Sequence, residues 1–224
     1  MATKSDRVRN TCLVALTFAS GSIDAMSYLA LGRVFTANMT GNVILFGVAL
    51  GTSNGEAALR SCEALVAFVA GLSAGVYFIG RTDETVFWPR TAQRALWAEI
   101  ALLVALTFLW VLNIRQPLDT YTTYTWMLIA VAALAMGLQT GTVYLLRIRG
   151  VTSTYVTGTL TSVVVDLLSQ QSVRAVMTRV GTLVALLAGA VVGAALFYAA
   201  PVAITIPALI AVAFVAVYAR SLGE

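Results

Sequence analysis

The chain is poor in charge, in cysteine and above all in histidine. Only 11% of its 224 residues are Asp, Glu, Lys or Arg, whereas soluble domains carry about a quarter. Histidine is absent, and the two cysteines, Cys12 and Cys62, do not form a CxxC spacing. This pattern argues against zinc, haem and His-based catalytic sites, so we expect no cofactor, no metal and no enzymatic activity.

Apolar residues make up 59% of the chain instead. The net charge of +4 does not indicate nucleic-acid binding, because the Lys and Arg residues fall between apolar runs, as flanking charges do. A helix needs about 20 mainly apolar residues to cross a bilayer. The composition therefore predicts an all-α transmembrane protein whose main partner is the lipid bilayer.

Eight apolar segments follow one another along the sequence. Their predicted bounds are 11–31, 34–51, 62–80, 95–112, 124–146, 152–168, 180–200 and 202–219.

Two stretches of the first half recur in the second half at nearly the same offset. Residues 65–75 (LVAFVAGLSAG) align with 183–193 (LVALLAGAVVG), and 33–42 (RVFTANMTGN) align with 150–159 (GVTSTYVTGT). Internal repeats of this kind are common in secondary transporters. They predict a single membrane domain, 1–224, with repeat one at 11–112, a linker at 113–121 and repeat two at 122–220.

The positions of Lys and Arg bear on how many segments cross. If all eight cross from a cytoplasmic N-terminus, eight of the fourteen basic residues lie inside and six outside. If segments 34–51 and 152–168 enter and return, eleven lie inside and three outside. Cytoplasmic loops are enriched in Lys and Arg. We therefore predict a bacterial inner-membrane protein with cytoplasmic termini and two inverted three-crossing repeats, each with a re-entrant or broken polar segment. Eight crossings with parallel repeats are the alternative.

A polar segment at membrane depth implies a cavity, because unwound backbone is tolerated there only inside protein or beside water. Asp24 lies near the middle of the first segment, where a carboxylate costs on the order of 2.5 to 3.5 kcal/mol. It is either a solute or proton site, or a structural acceptor for Thr or Asn of the broken segment. Gln139 and Thr140 are expected opposite Asp24, with ordinary interhelical hydrogen bonding as the alternative.

Each polar segment contains a Thr-Gly pair, at Thr40-Gly41 and Thr157-Gly158. With the residues that follow them, Asn42 and Thr159, these pairs can cap a half-helix whose positive end points to the bilayer middle, which favours an anionic solute. Close helix packing is the alternative interpretation. The other candidate solute contacts on these segments are Asn38, Asn42, Thr154, Tyr155 and Thr159.

Two GxxxG pairs, Gly71 with Gly75 and Gly189 with Gly193, predict close helix approach. That approach lies either within one protomer or in a homo-oligomer.

Three further acidic residues are weaker candidates. Glu63 and Glu99 are expected to reach the membrane interface, and Asp166 has either a transport role or a salt bridge to Arg174 or Arg179.

Several of these residues together resemble one family, the YoaK-like family, domain of unknown function 1275. The resemblance covers nearly the whole chain, and the sequence departs from the family pattern at Thr140-Gly141, where an Asn-Ala pair is more frequent. It implies a bacterial multipass membrane protein and assigns no substrate. The residues that carry it are Gly21, Asp24, Ala25, Leu31, Gly32, Phe35, Met39, Thr40, Gly41, Asn42, Gly137, Gln139, Thr154, Tyr155, Val156, Thr157 and Gly158.

Taken together, the sequence predicts a transporter or channel for a small polar solute. An anionic solute and proton coupling are further options. A structural or regulatory membrane protein without transport is the alternative, and a membrane-embedded enzyme ranks third because no histidine, metal spacing or paired catalytic carboxylates are present.

Overall fold

The computed structural model describes residues 4–80, 88–114, 123–145, 156–169 and 173–220. Within these ranges the chain forms eight α-helices and one short 3-10 turn. The elements are α1 (Lys4–Ala30), α2 (Met39–Gly51), α3 (Gly55–Ile79), α4 (Arg90–Asn113), α5 (Thr123–Leu145), α6 (Val156–Leu168), α7 (Val173–Ala199), the turn Pro201–Ala203 and α8 (Ile206–Arg220).

Each helix corresponds to one predicted apolar segment, but several bounds differ. Helices α1, α3 and α7 begin about seven residues before their apolar segments, because helical backbone continues through polar flanking residues. The second segment shows the opposite difference: residues 34–38 are not helical, and α2 begins only at Met39. The predicted break in this segment is therefore present. Most of the predicted linker lies outside the described residues.

Six of these helices are long and apolar enough to span a membrane, whereas α2 and α6 are short. With 13 residues each, they are about 20 Å long, less than the roughly 30 Å of bilayer hydrocarbon. We call α2 and α6 the half-helices. The all-α transmembrane class is confirmed.

The long helices pack mainly across the two halves of the sequence. Helix α1 packs on α7 and α8, while α5 packs on α3 and α4. The contacts of each half-helix are local, α2 with α3 and α6 with α7. Of the long helices, α1 and α5 are the most deeply buried, so they form the centre of the bundle.

Glycines bring the backbones together in two helix pairs, α1 with α7 and α5 with α3, which we call the exchanged pairs because each joins the two halves of the sequence. A Cβ at Gly71 would overlap the Leu134 carbonyl oxygen of α5, and one at Gly189 would overlap the Phe18 carbonyl oxygen of α1. A Cβ at Gly75 or Gly193 would lie 2.8 or 2.7 Å from the next carbonyl oxygens on the same two partners. All four glycines are therefore covered inside one chain, as the first of the two interpretations predicted, and a homo-oligomer contact through them is not supported.

Helices α1 and α3 run in opposite directions. Gly32, just beyond the end of α1, lies against the Arg60 side chain in the second turn of α3. Further along α3, Gly75 contacts α5 beside Gln139, whose Nε2 donates to the Leu16 carbonyl oxygen near the middle of α1 at 3.1 Å. Helix α2 therefore connects two helix ends that lie on the same side of the bundle.

Helices α4 and α8 are also antiparallel. Three hydrogen bonds join them: Trp110 Nε1 to the Pro201 carbonyl (2.7 Å), Thr107 Oγ1 to Thr205 Oγ1 (2.9 Å) and Gln93 Nε2 to the Ala216 carbonyl (2.8 Å). Along these three contacts the residue numbers fall on α4 as they rise on α8, which is the order expected of antiparallel helices.

Candidate functional site

The chain reverses direction immediately after α1. Gly32 and Arg33 adopt positive φ angles of 83° and 61°, the left-handed conformation that ends many helices. The Arg33 amide then donates to the Tyr28 carbonyl at 3.1 Å. Loop 31–38 is thereby turned back along α1.

Asp24 binds the returning loop. Its Oδ1 accepts hydrogen bonds from the backbone amides of Thr36 (2.8 Å) and Ala37 (2.7 Å), and its Oδ2 accepts from the Asn38 amide (3.0 Å). Because Asp24 lies six residues before the end of α1, the loop re-enters the bundle by about 9 Å. A carboxylate, which only accepts hydrogen bonds, matches this group of converging donors.

Asn42 supports the same loop from the first turn of α2. Its Nδ2 donates to the Phe35 carbonyl (2.6 Å) and its Oδ1 accepts from the Phe35 amide (2.9 Å). Asp24 and Asn42 thus pair the amides of residues 35–38 and the Phe35 carbonyl. Each such group would cost several kcal/mol if left unpaired in hydrocarbon.

The half-helix α2 begins at this point with Asn38 as its N-cap, whose Oδ1 accepts from the Gly41 amide at 3.2 Å. Thr40 and Gly41 therefore lie inside the first turn rather than at the cap itself. A Cβ at Gly41 would lie 2.9 Å from the Phe35 ring, so the glycine permits the loop to pack on the helix.

A cavity of about 410 Å³ lies beside Asp24. Its walls are the C-terminal half of α1, part of loop 31–38, the first residue of α6 and three residues of α7, and they are mainly apolar. The polar side chains that reach it are Ser20, Asp24, Tyr28 and Asn38.

Of the predicted site residues that the structure describes, only Asp24 and Asn38 line this cavity. Gln139 is buried and joins α5 to α1 by donating to the Ser20 Oγ at 2.8 Å as well as to Leu16. Thr140 donates to the Met136 carbonyl of its own helix at 2.8 Å. The prediction that Gln139 and Thr140 line the cavity opposite Asp24 is therefore not met, and Gln139 makes the interhelical hydrogen bond that was the alternative.

The second half-helix resembles the first in the position of its Thr-Gly pair. Thr157 and Gly158 are the second and third residues of α6, as Thr40 and Gly41 are of α2. Thr157 is exposed and Thr159 is buried. Thr154 and Tyr155 lie outside the described residues.

Two further acidic residues have clear surroundings. Asp166 of α6 forms an ion pair with Arg179 of α7, as its structural interpretation predicted. Glu99, expected at the membrane interface, is only 1% exposed, and its Oε1 has no hydrogen-bond partner among the described residues. Its helix packs on both α5 and α8, and this covers a side chain that the sequence position alone did not reveal as buried.

Two aromatic residues of the cavity were not predicted. Tyr28 lies one helical turn after Asp24, a spacing that places both on one face of α1 and that the sequence already contained. Phe35 stacks on Tyr28, with ring centroids 5.2 Å apart and planes 20° apart. Its position depends on the loop reversal, for which no local signal was available.

Six long apolar helices and two half-helices in the described part of the chain define a multipass all-α membrane protein. The family described as "Protein of unknown function (DUF1275)" matches residues 12–218, and the chain belongs to this family. It is 36% identical over 159 residues to the UPF0700 transmembrane protein YoaK of Bacillus subtilis (strain 168), a match that covers 71% of this chain and 67% of that protein. No solved structure matches the chain.

Proposed function

We propose that the chain is a transporter or channel that moves a small polar solute across a bacterial inner membrane. The observation that carries the proposal is the cavity beside Asp24, at the depth where loop 31–38 re-enters the bundle. Irregular backbone at such a depth is tolerated where it is buried in protein or lines a water-filled cavity, and in several secondary transporters such a cavity holds the substrate or ion.

The proposal includes six crossings rather than eight. The relative orientations of two helix pairs support this count: α1 is antiparallel to α3, and α4 is antiparallel to α8. Eight crossings would make both pairs parallel, because α1 and α3 would then be the first and third crossings, and α4 and α8 the fourth and eighth. The shortness of α2 and α6 supports the same count.

An inverted repeat is the second part of the proposal. The packing of α1 on α7 has a counterpart in that of α5 on α3, and Gly189 repeats the contact of Gly71. Three crossings per repeat would invert the second repeat relative to the first, as in several transporter folds. The excess of Lys and Arg on one side then supports a cytoplasmic location of both termini.

The half-helix dipoles alone would favour an anionic solute, but the surroundings of α2 disfavour one. At the N-terminus of α2 the protein's own carboxylate, Asp24, already accepts the free amides. A second anion there would meet a like charge. We therefore propose a polar solute without a net negative charge at this end of the cavity.

A structural role without transport has one specific observation in its favour. Within the described residues, every hydrogen bond of the Asp24 carboxylate goes to loop 31–38, as a purely structural residue would require. Loss of function in an Asp24 variant alone therefore cannot separate the two roles.

Uptake into liposomes by the purified full chain tests transport directly. The panel should contain cationic, zwitterionic, neutral and anionic small solutes, each measured with and without an imposed proton gradient to test coupling. We expect saturable uptake of at least one solute, and no uptake of any would contradict the proposal.

A matched pair on α7 links uptake to the cavity. Ala194 lines the cavity, whereas its neighbour Ala195 is exposed and does not line it. Ala194→Leu should reduce uptake at least fivefold by filling the cavity, while Ala195→Leu should retain wild-type uptake. Equal uptake by the two variants would show that solute does not pass this cavity.

A further inference from the structure

We propose that the cavity beside Asp24 binds a small organic cation, an ammonium group with apolar substituents. The proposal deepens the transport function and rests on it only for the statement that the bound cation is moved. It is argued from the charge, the aromatic rings and the walls of the cavity.

The charge of the cavity is negative. Asp24 is the only charged residue among the described residues that line it, and no Lys or Arg of the described ranges forms an ion pair with this carboxylate. A carboxylate at membrane depth without a cationic partner is costly. A cationic ligand would supply the missing charge.

The carboxylate also has a free position for a ligand. Oδ1 accepts from two amides and, at 3.4 Å, from Thr36 Oγ1, whereas Oδ2 accepts, among the residues that the structure describes, only from the Asn38 amide. Each carboxylate oxygen can accept about two hydrogen bonds. Oδ2 can therefore receive an N–H donor or lie beside a quaternary ammonium without releasing the loop.

Two aromatic rings line the same cavity as the Asp24 carboxylate. Tyr28 and Phe35 both line the cavity and stack on each other, and Tyr28 lies one turn beyond Asp24 on the same helix. Aromatic faces attract ammonium groups, with quaternary ammonium as a well-established case. A carboxylate and aromatic rings in one cavity form a combination that favours a cation over a neutral or anionic solute.

The remaining walls suit the apolar part of such a ligand. Residues of α1 and α7 such as Ala25, Leu186 and Ala190 line the cavity, and they offer no hydrogen bond to a sugar or a similarly hydroxylated solute. The volume of about 410 Å³ is in the range of small-molecule pockets.

Three probes of similar shape test the charge preference. They are choline, its neutral isostere 3,3-dimethylbutan-1-ol and the anion 3,3-dimethylbutanoate, each added at millimolar concentration to the full chain in detergent. Ligand that binds only the folded state raises the melting temperature, so we expect choline to raise it more than either isostere. An equal or larger shift with an isostere, or no shift with any probe, would overturn the proposal.

Variants of Tyr28 test the aromatic contact. Tyr28→Leu should weaken choline binding about fivefold or more, and Tyr28→Phe, which keeps the ring, should weaken it less. Tyr144→Leu, which replaces an exposed tyrosine outside the cavity, should bind choline as the unmodified chain does. Equal affinity of Tyr28→Leu and Tyr144→Leu would contradict the aromatic contact, and Ala194→Leu decides the question if Tyr28→Leu does not fold.

These experiments distinguish a failure of the cation-binding proposal from a failure of the transport proposal. A choline shift without uptake of any cation would leave the binding site in place and remove the transport proposal. Uptake of a neutral or anionic solute without a choline shift would support transport and remove the cation site.

Discussion

The carboxylate of Asp24 replaces the water that would otherwise hydrogen-bond the amides of residues 36–38. In Asp24→Asn, whichever way the amide turns, its NH2 group faces at least one backbone N–H. The variant should therefore lose about 1 to 3 kcal/mol of unfolding free energy. Thermal or denaturant unfolding in detergent measures this loss.

Glu56→Gln is the matched control for that measurement. Glu56 is an exposed carboxylate in the first turn of α3, and its replacement should change the unfolding free energy by no more than about 0.5 kcal/mol. If Asp24→Asn were as stable as Glu56→Gln, the hydrogen bonds of Asp24 would not be what holds loop 31–38 in the bundle.

Sequence reasoning at the residue scale succeeded where a side chain conflicts with its surroundings. Asp24 was conspicuous because a carboxylate in an apolar segment is costly, and this cost is independent of the fold. Glu99 was misjudged because its burial depends on the packing of α5 and α8 around it. Phe35 was missed for the same kind of reason, since loop 31–38 determines where its ring lies.

Close packing of the exchanged helix pairs depends on glycine. Gly71→Ala and Gly189→Ala should each destabilise the chain by about 1 to 3 kcal/mol, because the new Cβ would overlap a backbone carbonyl of the partner helix. Since the two glycines make corresponding contacts, the two losses should be similar. Unfolding in detergent measures both.

Gly47→Ala provides the comparison within a helix. A Cβ at Gly47 would have nothing within 4 Å, and alanine favours helix over glycine by up to about 1 kcal/mol. Gly47→Ala should therefore be neutral or stabilising. Destabilisation of all three variants alike would indicate a general effect of alanine rather than a loss of close packing.

At the scale of elements, polar residues in an apolar segment indicated both half-helices. The break before α2 was predicted because Thr and Asn interrupt an otherwise apolar run. The starting residues were less accurate: α2 begins at Met39 because Asn38 caps it, whereas the prediction gave that role to the following Thr-Gly pair. Capping depends on which side chain can reach a free amide, and composition does not specify this.

For the whole molecule, the alignment of two short sequence stretches predicted an internal repeat, but it did not indicate how the two halves of the sequence pack. Nothing in residues 65–75 and 183–193 indicates that each contacts the first long helix of the other half. Glycine spacing identified faces of close approach, yet it could not separate a partner helix in the same chain from one in a second chain. The partner became clear only from the carbonyl groups that each glycine contacts.

The number of crossings can be measured with two single cysteines in a chain whose Cys12 and Cys62 are replaced by alanine. Six crossings with a cytoplasmic N-terminus place Glu56, at the start of α3, outside and Arg90, at the start of α4, inside; eight crossings reverse both. Both positions are exposed. We therefore expect a membrane-impermeant maleimide, applied to intact cells, to label Glu56→Cys and to label Arg90→Cys only after permeabilisation. With the N-terminus shown to be cytoplasmic by a third single cysteine near it, the reverse pattern would exclude the re-entrant path of α2, because a crossing α2 would carry the start of α3 to the cytoplasmic side.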